Sequence, residues 1–309
     1  MKVYHGIEKF EPPQYAVVTT GTFDGVHCGH EEILNRIKEL AIKNNGETVV
    51  VTFDPHPRTV IHPDIDIKLL HTIDEKIDRL EKAGIDHFVI IPFTKEFSRT
   101  SSLSFVRDVL IKELQTKLLV IGYDHQFGRN REGSITDLEE FSRVYDFEIE
   151  QIEARTFENI NISSTKIRKA LDEGDVKTAN VFLGYEFMIS GKVAHGRKKG
   201  AAMGFPTANI EIESIHKIIP ATGVYAVEVI VNGDIYGGML NIGYNPTVSN
   251  ERHRSIEVHI FNFNRTIYGE PIQVNFKKRI RSEKKFENIE ALGVQLQKDQ
   301  SEVLQILGI

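Results

Sequence analysis

Two histidines, His27 and His30, stand three residues apart in segment 21–30, which reads GTFDGVHCGH. This spacing would place both imidazoles on one face of a helix. Imidazoles so placed can donate hydrogen bonds to a triphosphate as negative charge builds on a departing pyrophosphate. The glycines allow the backbone to approach a ligand, and a helix start offers N–H groups to phosphate. By itself, such a pair is more often a surface feature or part of a metal site, although zinc would find only Cys28 as a further ligand nearby.

Three later segments carry side chains that could complete a nucleotide site. Segments 52–57 (TFDPHP) and 122–129 (GYDHQFGR) each follow a predicted strand, and ligands of open α/β sheets bind at the carboxyl ends of strands. Segment 162–168 (ISSTKIR) places hydroxyl groups at a predicted helix start, with Arg168 in reach of phosphate oxygens. Taken singly, the segments would also suit a rigid turn, core packing by Phe127 and a plain N-cap.

A second set of residues could bind phosphate by different means. Segment 191–209 (GKVAHGRKKGAAMGFPTAN) is basic and glycine-spaced, so its backbone could wrap anionic oxygens while Lys198 or Lys199 adds charge. The oxygen atoms of Thr207 and Asn209 are hard ligands of the kind that Mg²⁺ accepts alongside ATP phosphates. By itself, a lysine-rich loop is more often simply solvated.

The chain contains no GxxxxGK[ST] motif, which excludes a P-loop kinase. Phosphate transfer in the second half would therefore need other groups. Glu257 stands in a strand pattern, SIEVHI over 255–260, that turns it away from the core. By itself it would be an ordinary solvent-facing carboxylate.

The elements that must position these residues differ between the two halves of the chain. Between 16 and 152, short apolar runs alternate with helical patterns, which predicts a parallel sheet and a doubly wound α/β domain. From Phe187 onward, period-2 strands and the turn pair Asn232-Gly233 predict an antiparallel barrel or sandwich. We expect domains of 1–184 and 185–309. The predicted strands are 16–20, 48–53, 87–92, 118–121, 147–152, 224–231 and 255–261, and the predicted helices are 29–44, 73–83, 102–114, 137–145, 166–172, 175–183 and 285–307.

Composition narrows the class of protein. With 309 residues, 40% hydrophobic and 27% charged, the chain is long enough for two globular domains. A net charge of −6 argues against a general nucleic-acid binder. No apolar run is long enough for a signal peptide or a membrane span, and a single cysteine allows no internal disulfide. We expect a cytoplasmic enzyme that acts on small molecules and has no membrane or nucleic-acid partner. We expect it to be monomeric or weakly homo-oligomeric.

Two signatures give these segments a family context. Segment 27–30 (HCGH) matches the HxGH signature of the nucleotidylyltransferase superfamily. Segment 204–209 (GFPTAN) matches the signature of riboflavin kinase. Further segments that resemble riboflavin kinase are 223–226 (GVYA), 241–243 (NIG) with Pro246-Thr247, 256–259 (IEVH), 268–269 (YG), and 281–283 (RSE) with Phe286. Over essentially its whole length, the chain resembles the prokaryotic bifunctional riboflavin kinase/FMN adenylyltransferases, also called FAD synthetases.

This resemblance implies a Rossmann-like nucleotidylyltransferase domain followed by a six-stranded Greek-key barrel that ends in a C-terminal helix. It implies that the second domain makes FMN from riboflavin and Mg²⁺-bound ATP, with Glu257 as base and Thr207 and Asn209 as the metal-binding residues. It also implies that the first domain makes FAD from FMN and ATP. There, His27, His30 and Arg168 would stabilise the departing pyrophosphate.

The resemblance assigns further contacts to both sites. Residues expected at the adenylyltransferase ATP site are Gly21, Phe23, Asp24, Gly29, Asp124, Ser163, Ser164 and Thr165. Residues expected at the kinase ATP site are Gly196, Lys199, Gly200, Gly204, Phe205 and Pro206. Residues expected to contact flavin are Phe53, Pro55, His56, Phe127, Arg281 and Glu283.

The chain departs from the family pattern at two places. Ala201 stands where many members have Arg after the glycine, and segment 261–264 reads FNFN where an FDFD-like sequence is usual. Other basic residues of the loop could replace the missing Arg. Three alternatives remain open: an adenylyltransferase whose second domain only binds flavin, a flavin-sensing regulatory protein, and a generic cytidylyltransferase.

Overall fold

The computed structural model describes residues 1–123, 125–152, 162–196, 200, 204–244 and 254–309. The chain divides into two compact units, Met1–Ser164 and Thr165–Ile309. This division falls at the start of a helix, ahead of Gly184, and the domain boundary near Gly184 stays a prediction. No helix among the described residues is long and apolar enough to cross a membrane.

The first unit is built on a six-stranded parallel sheet, as predicted. Its strands are β1 Lys2–His5, β2 Ala16–Thr20, β3 Glu47–Asp54, β4 His87–Pro92, β5 Thr116–Gly122 and β6 Glu148–Ile152. The spatial order is β1-β4-β3-β2-β5-β6, so the chain leaves β2 toward one edge and later returns to fill the other. The carboxyl end of β2 is therefore the point where the strand order reverses, which is the usual ligand position in such sheets.

Helices cover both faces of this sheet, which confirms the doubly wound α/β fold. They are α1 Cys28–Lys43, α2 Pro57–Ile61, α3 Ile73–Lys82, α4 Ser102–Ser104 with its continuation as the π-helix Phe105–Glu113, and α5 Ile135–Tyr145. On one face, Leu34 of α1 and Leu80 of α3 pack on Val17 and Val50. On the other face, the π-helix and α5 pack on the alternate residues of the same strands, such as Val18.

The second unit is a closed, six-stranded antiparallel barrel, which confirms the barrel alternative over the sandwich. Its strands are β7 Met188–Ala194, β8 Ala208–Glu211, β9 Gly223–Val231, β10 Asp234–Tyr244, β11 Arg254–Ile260 and β12 Pro271–Arg281, in the order β10-β11-β8-β7-β12-β9. Asn232 and Gly233 join β9 to β10 with φ of 53° and 87°, as their turn type requires.

Among the described residues, the helices that accompany the barrel are α6 Ser164–Glu173, α7 Val176–Leu183 and α8 Ile289–Leu307. Helix α6 is tied to the barrel unit by a backbone bond from Ala221 N–H to Leu171 O at 3.0 Å. Helix α8 buries Val303 in the apolar cluster that contains Phe261.

The structure corrects some predicted bounds. The C-terminal helix begins at Ile289 rather than at Lys285, because the side chain of Asn288 accepts a bond from Ala291 N–H at 2.8 Å and so caps the first turn. Strand β1 and helix α2 were not predicted. Strand β1 is a short edge strand that pairs in parallel with β4, and its four residues show no alternation of buried and exposed positions.

Two candidate active sites

The loop between β2 and α1 has an unusual backbone. Phe23 and Val26 adopt φ of 45° and 36°, and Gly25 adopts 92°. Positive φ is unfavourable for bulky residues and persists only where packing enforces it. The side chains of Phe23 and Val26 are buried in the core on the α1 side of the sheet, which supplies that packing. The loop is thus held in one shape at the strand end where ligands bind.

The predicted histidine pair comes together at the start of α1. The rings of His27 and His30 stack with centroids 3.8 Å apart and an interplanar angle of 21°. The backbone N–H of His27 donates to Nδ1 of His30 at 3.2 Å. The ring of Phe23 lies against His30 with a centroid distance of 5.1 Å. Both imidazoles therefore share one side of the helix start, with Gly29 buried between them.

The electrostatic environment keeps His30 neutral. Burial lowers the pKa of His30 well below its usual value, and the charges of His27 and Lys76 lower it further. A neutral imidazole carries one proton, and Nδ1 of His30 accepts a hydrogen bond. Its proton is therefore on Nε2, which can donate to an incoming anion.

Asp24 fixes the same loop to a neighbouring segment. Its buried carboxylate accepts hydrogen bonds from the backbone N–H groups of Leu70, at 2.9 Å, and His71, at 3.3 Å. Its carbonyl oxygen accepts a bond from Oγ of Ser164 at 2.9 Å. Of the predicted ATP contacts, Asp24 and Ser164 therefore lie together.

The remaining predicted ATP contacts of this site are not all in the loop that contains Asp24. Gly21 begins the loop and its N–H donates to Val51 O at 3.0 Å. Ser163 is exposed. Thr165 and Arg168 lie on α6 in the second unit. Asp124 lies outside the described residues. The roles of these residues stay predictions.

One charged residue near this loop was missed by sequence reasoning. Lys76 of α3 is buried, and its Nζ donates to the carbonyl oxygen of Thr22 at 2.7 Å. Its position on the apolar side of the helix, between Ile73 and Leu80, was the available signal.

Two of the predicted flavin contacts belong to one aromatic cluster. Phe53, at the end of β3, lies 5.7 Å from Phe93 and 5.8 Å from Phe97, measured between ring centroids. Phe97 contacts Phe105 at 6.4 Å, which in turn contacts Phe127 at 6.0 Å. Phe93 and Phe97 follow β4 and were not predicted. Their place after the carboxyl end of a strand was the signal.

Pro55 and His56 lie beyond the end of β3. Pro55 is exposed and follows Asp54 through a cis peptide bond. His56 is half-buried and caps α2, because its Nδ1 accepts a bond from Arg58 N–H at 3.2 Å. Flavin contact by either residue stays a prediction.

In the barrel, the predicted base and the predicted metal ligands meet on neighbouring strands. Glu257 of β11 pairs directly with Asn209 of β8. Directly opposite residues of an antiparallel pair project to the same face. The hydroxyl of Thr207 donates to Oε2 of Glu257 at 3.3 Å. Asn241 of β10 pairs with Glu257 from the other side and was assigned no role from the sequence.

Glycines of the predicted phosphate loop lie against these residues. A Cβ at Gly196 would overlap the side-chain amide of Asn209, and a Cβ at Gly200 would overlap the carbonyl oxygen of Phe205. Phe205 N–H donates to Gly200 O at 3.0 Å, and Gly204 adopts a φ of 81°. These positions thus require glycine for close approach or for a left-handed backbone.

Of the other residues predicted for the kinase site, some are described by the structure and some lie outside the described residues. The carbonyl oxygen of Pro206 accepts a bond from Nδ1 of His259 at 2.7 Å, which ties the GFPTAN segment to β11. The predicted contact Lys199 and the family segment Pro246-Thr247 lie outside the described residues, as do Arg197, Lys198 and Ala201.

The two predicted flavin contacts of this unit have protein partners in the structure. The guanidinium of Arg281 donates through Nε and Nη2 to the buried carboxylate of Asp299, with distances of 2.9 and 2.7 Å to Oδ2. A Cβ at Gly243 would lie 2.8 Å from Oε1 of Glu283 and 3.2 Å from Nδ2 of Asn241, so the exposed Glu283 carboxylate lies against β10 near Asn241. Arg281 therefore has a role in holding α8, whatever it contributes to flavin.

Comparisons with known proteins match each half of the chain to a different enzyme family. Residues 9–166 match the family described as FAD synthetase, and residues 183–307 match the family described as riboflavin kinase. The bifunctional riboflavin kinase/FMN adenylyltransferase of Listeria monocytogenes is 39% identical, with 93% of this chain and 90% of the relative covered. The protein of that description from Escherichia coli K12 is 35% identical over 100% of this chain and 99% of its own.

A solved structure supports the same fold over the whole chain. A crystal structure from Streptococcus pneumoniae, described as a macrolide-efflux protein, is 30% identical with a TM-score of 0.86. It covers 97% of this chain and 98% of its own. Matches to two enzyme families leave no support for the flavin-sensing protein, and the riboflavin kinase match accounts for the half that a cytidylyltransferase would leave unexplained.

Proposed function

The chain belongs to the bifunctional riboflavin kinase/FMN adenylyltransferase family, and we propose that its two reactions use two separate sets of residues. The C-terminal domain phosphorylates riboflavin to FMN, and the N-terminal domain adenylylates FMN to FAD with release of pyrophosphate. For the kinase reaction the set is Thr207, Asn209 and Glu257. For the adenylyl reaction it is His27 and His30, with Arg168. The direct pairing of Glu257 with Asn209 carries the proposal, because it joins a base to a metal ligand from a distant segment.

In the kinase reaction, Glu257 accepts the proton of the riboflavin 5′-hydroxyl as that oxygen attacks the γ-phosphorus of ATP. A carboxylate suits this task because it only has to accept a hydrogen bond and then a proton in the transition state. Its hydrogen bond from Thr207 orients the carboxylate. The glycine-spaced segment 196–204 holds the phosphates, with Lys199 as a further proposed contact.

The side chains beside Glu257 fit a magnesium ion. Thr207 and Asn209 offer a hydroxyl and an amide oxygen, and Glu257 offers a carboxylate, all hard oxygen ligands. When bound, Mg²⁺ would neutralise charge on the ATP phosphates. We propose Thr207 and Asn209 as its holders and Glu257 as the base, since one carboxylate oxygen remains for the proton.

In the adenylyl reaction, the FMN phosphate attacks the α-phosphorus of ATP, and the leaving group is pyrophosphate. The nucleophile is already an anion, so no strong base is required. The main task is to stabilise the charge that develops on pyrophosphate, and Nε2–H of His30 together with His27 supplies donors for it. Gly21, Phe23, Asp24 and Gly29 shape the loop around them.

Flavin would be bound by different groups in the two domains. In the first, the half-buried Phe53 offers apolar area for an isoalloxazine ring, with the buried Phe127 in the same aromatic cluster and with Pro55 and His56 as further proposed contacts. In the second, Arg281 and Glu283 are the proposed contacts. We further propose that the enzyme is monomeric or weakly homo-oligomeric. We also propose a cytoplasmic location, because a single cysteine fits a reducing compartment.

A time course tests the proposal. Purified protein is incubated with riboflavin, Mg²⁺ and ATP, and the flavins are separated by chromatography. We expect FMN first and then FAD. Omission of Mg²⁺ should stop FMN formation, and turnover without added metal in the presence of a chelator would contradict the metal assignment. The two residue sets are then separated by the single variants described in the Discussion.

A further inference from the structure

A buried lysine joins two strand ends next to the histidine pair. Lys76 is 7% exposed, and its Nζ donates to Thr22 O at 2.7 Å and to Oγ1 of Thr52 at 3.4 Å. Oγ1 of Thr52 also donates to Thr22 O at 3.2 Å. Thr22 lies in the loop after β2, and Thr52 lies in β3. The ammonium therefore fixes the nucleotide loop against the neighbouring strand.

Among the described residues, no carboxylate is hydrogen-bonded to the Lys76 ammonium. Both described acceptors of Nζ are uncharged, and burial lowers the pKa of Lys76, while Asp24 and Asp54 oppose that shift from nearby. The Asp24 carboxylate is engaged with backbone N–H groups of the neighbouring segment. A buried ammonium without a bonded counter-charge is unfavourable for stability alone. An anionic ligand of the loop would add negative charge to that of Asp24 and Asp54 and stabilise the ammonium further.

Lys76 also acts electrostatically on His30. Its positive charge contributes to the low pKa of this histidine, after burial and His27. Further charged groups lie on the same loop and on β3, α1 and α3. Asp24 and Asp54 act on Lys76, Glu75 is buried on α3, and the pair Glu31–Arg79 joins α1 to α3 at 4.0 Å.

We propose that Lys76 is a positioning residue for adenylyl transfer: it fixes the loop through Thr22 and places a buried positive charge beside His30 for the incoming triphosphate. Nothing requires it to touch the substrate. This inference rests on the proposed role of the histidine pair. A role for the charge explains why a lysine occupies the apolar side of α3, where a methionine of similar length would be less costly to bury.

Lys76→Met tests the proposal with a matched control on the same helix. Lys82→Met also removes one lysine charge, from an exposed side chain that pairs with Asp78 at 2.7 Å. We expect Lys76→Met to lower kcat for FAD formation from supplied FMN by about 10²-fold, the usual effect of misplacing a reacting group by an ångström. FMN formation from riboflavin, measured on the same preparation, should be unchanged, and Lys82→Met should leave both reactions unchanged. Equal FAD rates in the two variants, or proportional loss of both reactions in Lys76→Met, would overturn the proposal.

The titration of His30, followed by NMR, separates positioning from general support of the fold. We expect its pKa to rise in Lys76→Met, because a neighbouring positive charge has been removed. Lys76→Gln retains a hydrogen-bond donor for Thr22 but removes the charge. It should show the same rise in the pKa of His30 with a smaller loss of kcat. An unchanged His30 titration in the folded variants would overturn the proposal. His30→Ala is measured in parallel: if it leaves FAD formation unchanged, the proposed histidine role fails independently of Lys76.

Discussion

Asn209 and Glu257 occupy directly opposite positions on two paired strands of the barrel. Their side chains therefore project to one face, where Thr207 donates to the Glu257 carboxylate at 3.3 Å. A base and two neutral oxygen ligands are thus assembled from segments that are far apart in sequence. The arrangement has consequences that can be tested because the same chain carries a second, independent reaction.

Glu257→Gln should abolish FMN formation and leave FAD formation from supplied FMN unchanged. Glutamine keeps the size of the side chain and can still accept from Thr207, but it cannot take the proton of the riboflavin hydroxyl. Both reactions are measured by chromatography of flavins. If a folded Glu257→Gln protein loses the two reactions equally, the separation of the residue sets by domain is wrong.

His30→Ala should have the opposite effect. FAD formation from FMN is expected to fall about 10²-fold or more, the usual cost of removing one donor to a developing anion. FMN formation from riboflavin should persist. His62→Ala is a suitable control, because His62 is an exposed histidine at the end of α2 in the same domain. Equal effects of the two alanine variants would contradict the assignment.

The low pKa of His30 predicts acid sensitivity of the first domain. Its folded-state pKa lies well below the value of 6.5 expected for the unfolded chain. As pH falls through 6.5 toward the folded-state pKa, the unfolded state binds a proton that folded His30 does not, so the stability of the domain decreases. Urea unfolding of wild type and His30→Gln at about pH 5 and about pH 7.5 measures this, and the variant should lose less stability on acidification. Identical losses in both proteins would show that His30 does not contribute.

Gly196→Ala should impair only the kinase reaction. A Cβ at this position would overlap the side-chain amide of Asn209 and displace a proposed metal ligand. We expect FMN formation to fall, with a higher requirement for Mg²⁺, while FAD formation from FMN is retained. Gly233→Ala provides a comparison in the barrel, because no atom lies within 4 Å of a Cβ there, although its φ of 87° also disfavours a side chain. A Mg²⁺ requirement that rises equally in both variants would argue against displacement of Asn209.

The fold could be predicted from the sequence where hydrophobic periodicity was strong. Strand β2 was predicted with its observed bounds, and it is buried along its whole length. Strand β1 was missed because a short edge strand has no such pattern. The start of the C-terminal helix was predicted too early, at Lys285, because polar residues before Ile289 also fit the helical pattern. The capping side chain of Asn288 sets the observed start.

The candidate sites were chosen from residue types together with the two family signatures, and the roles of their residues stay predictions. The signatures pointed to Glu257, Asn209 and His30, but the pairing of β8 with β11 depends on the barrel register. Lys76 was missed because a helical lysine is usually solvated, and only the packing of α3 reveals that it is buried. The partner of Arg281 was likewise hidden, since Asp299 lies on a separate helix.

The Arg281–Asp299 pair should be important for the stability of the barrel domain. Asp299 is 3% exposed, and it accepts from the Arg281 guanidinium and from Nε2 of Gln295 at 2.8 Å. Asp299→Ala would leave the guanidinium without its counter-charge. The cost is about 3–5 kcal/mol for a fully buried pair, and we expect less here because the Arg281 side chain is 21% exposed. Lys278→Met is the matched control, because it removes the exposed pair Lys278–Glu302 between the same strand and helix, which should contribute little. Urea unfolding followed through the barrel domain measures both, and equal stabilities of the two variants would exclude a role for Asp299 in anchoring α8.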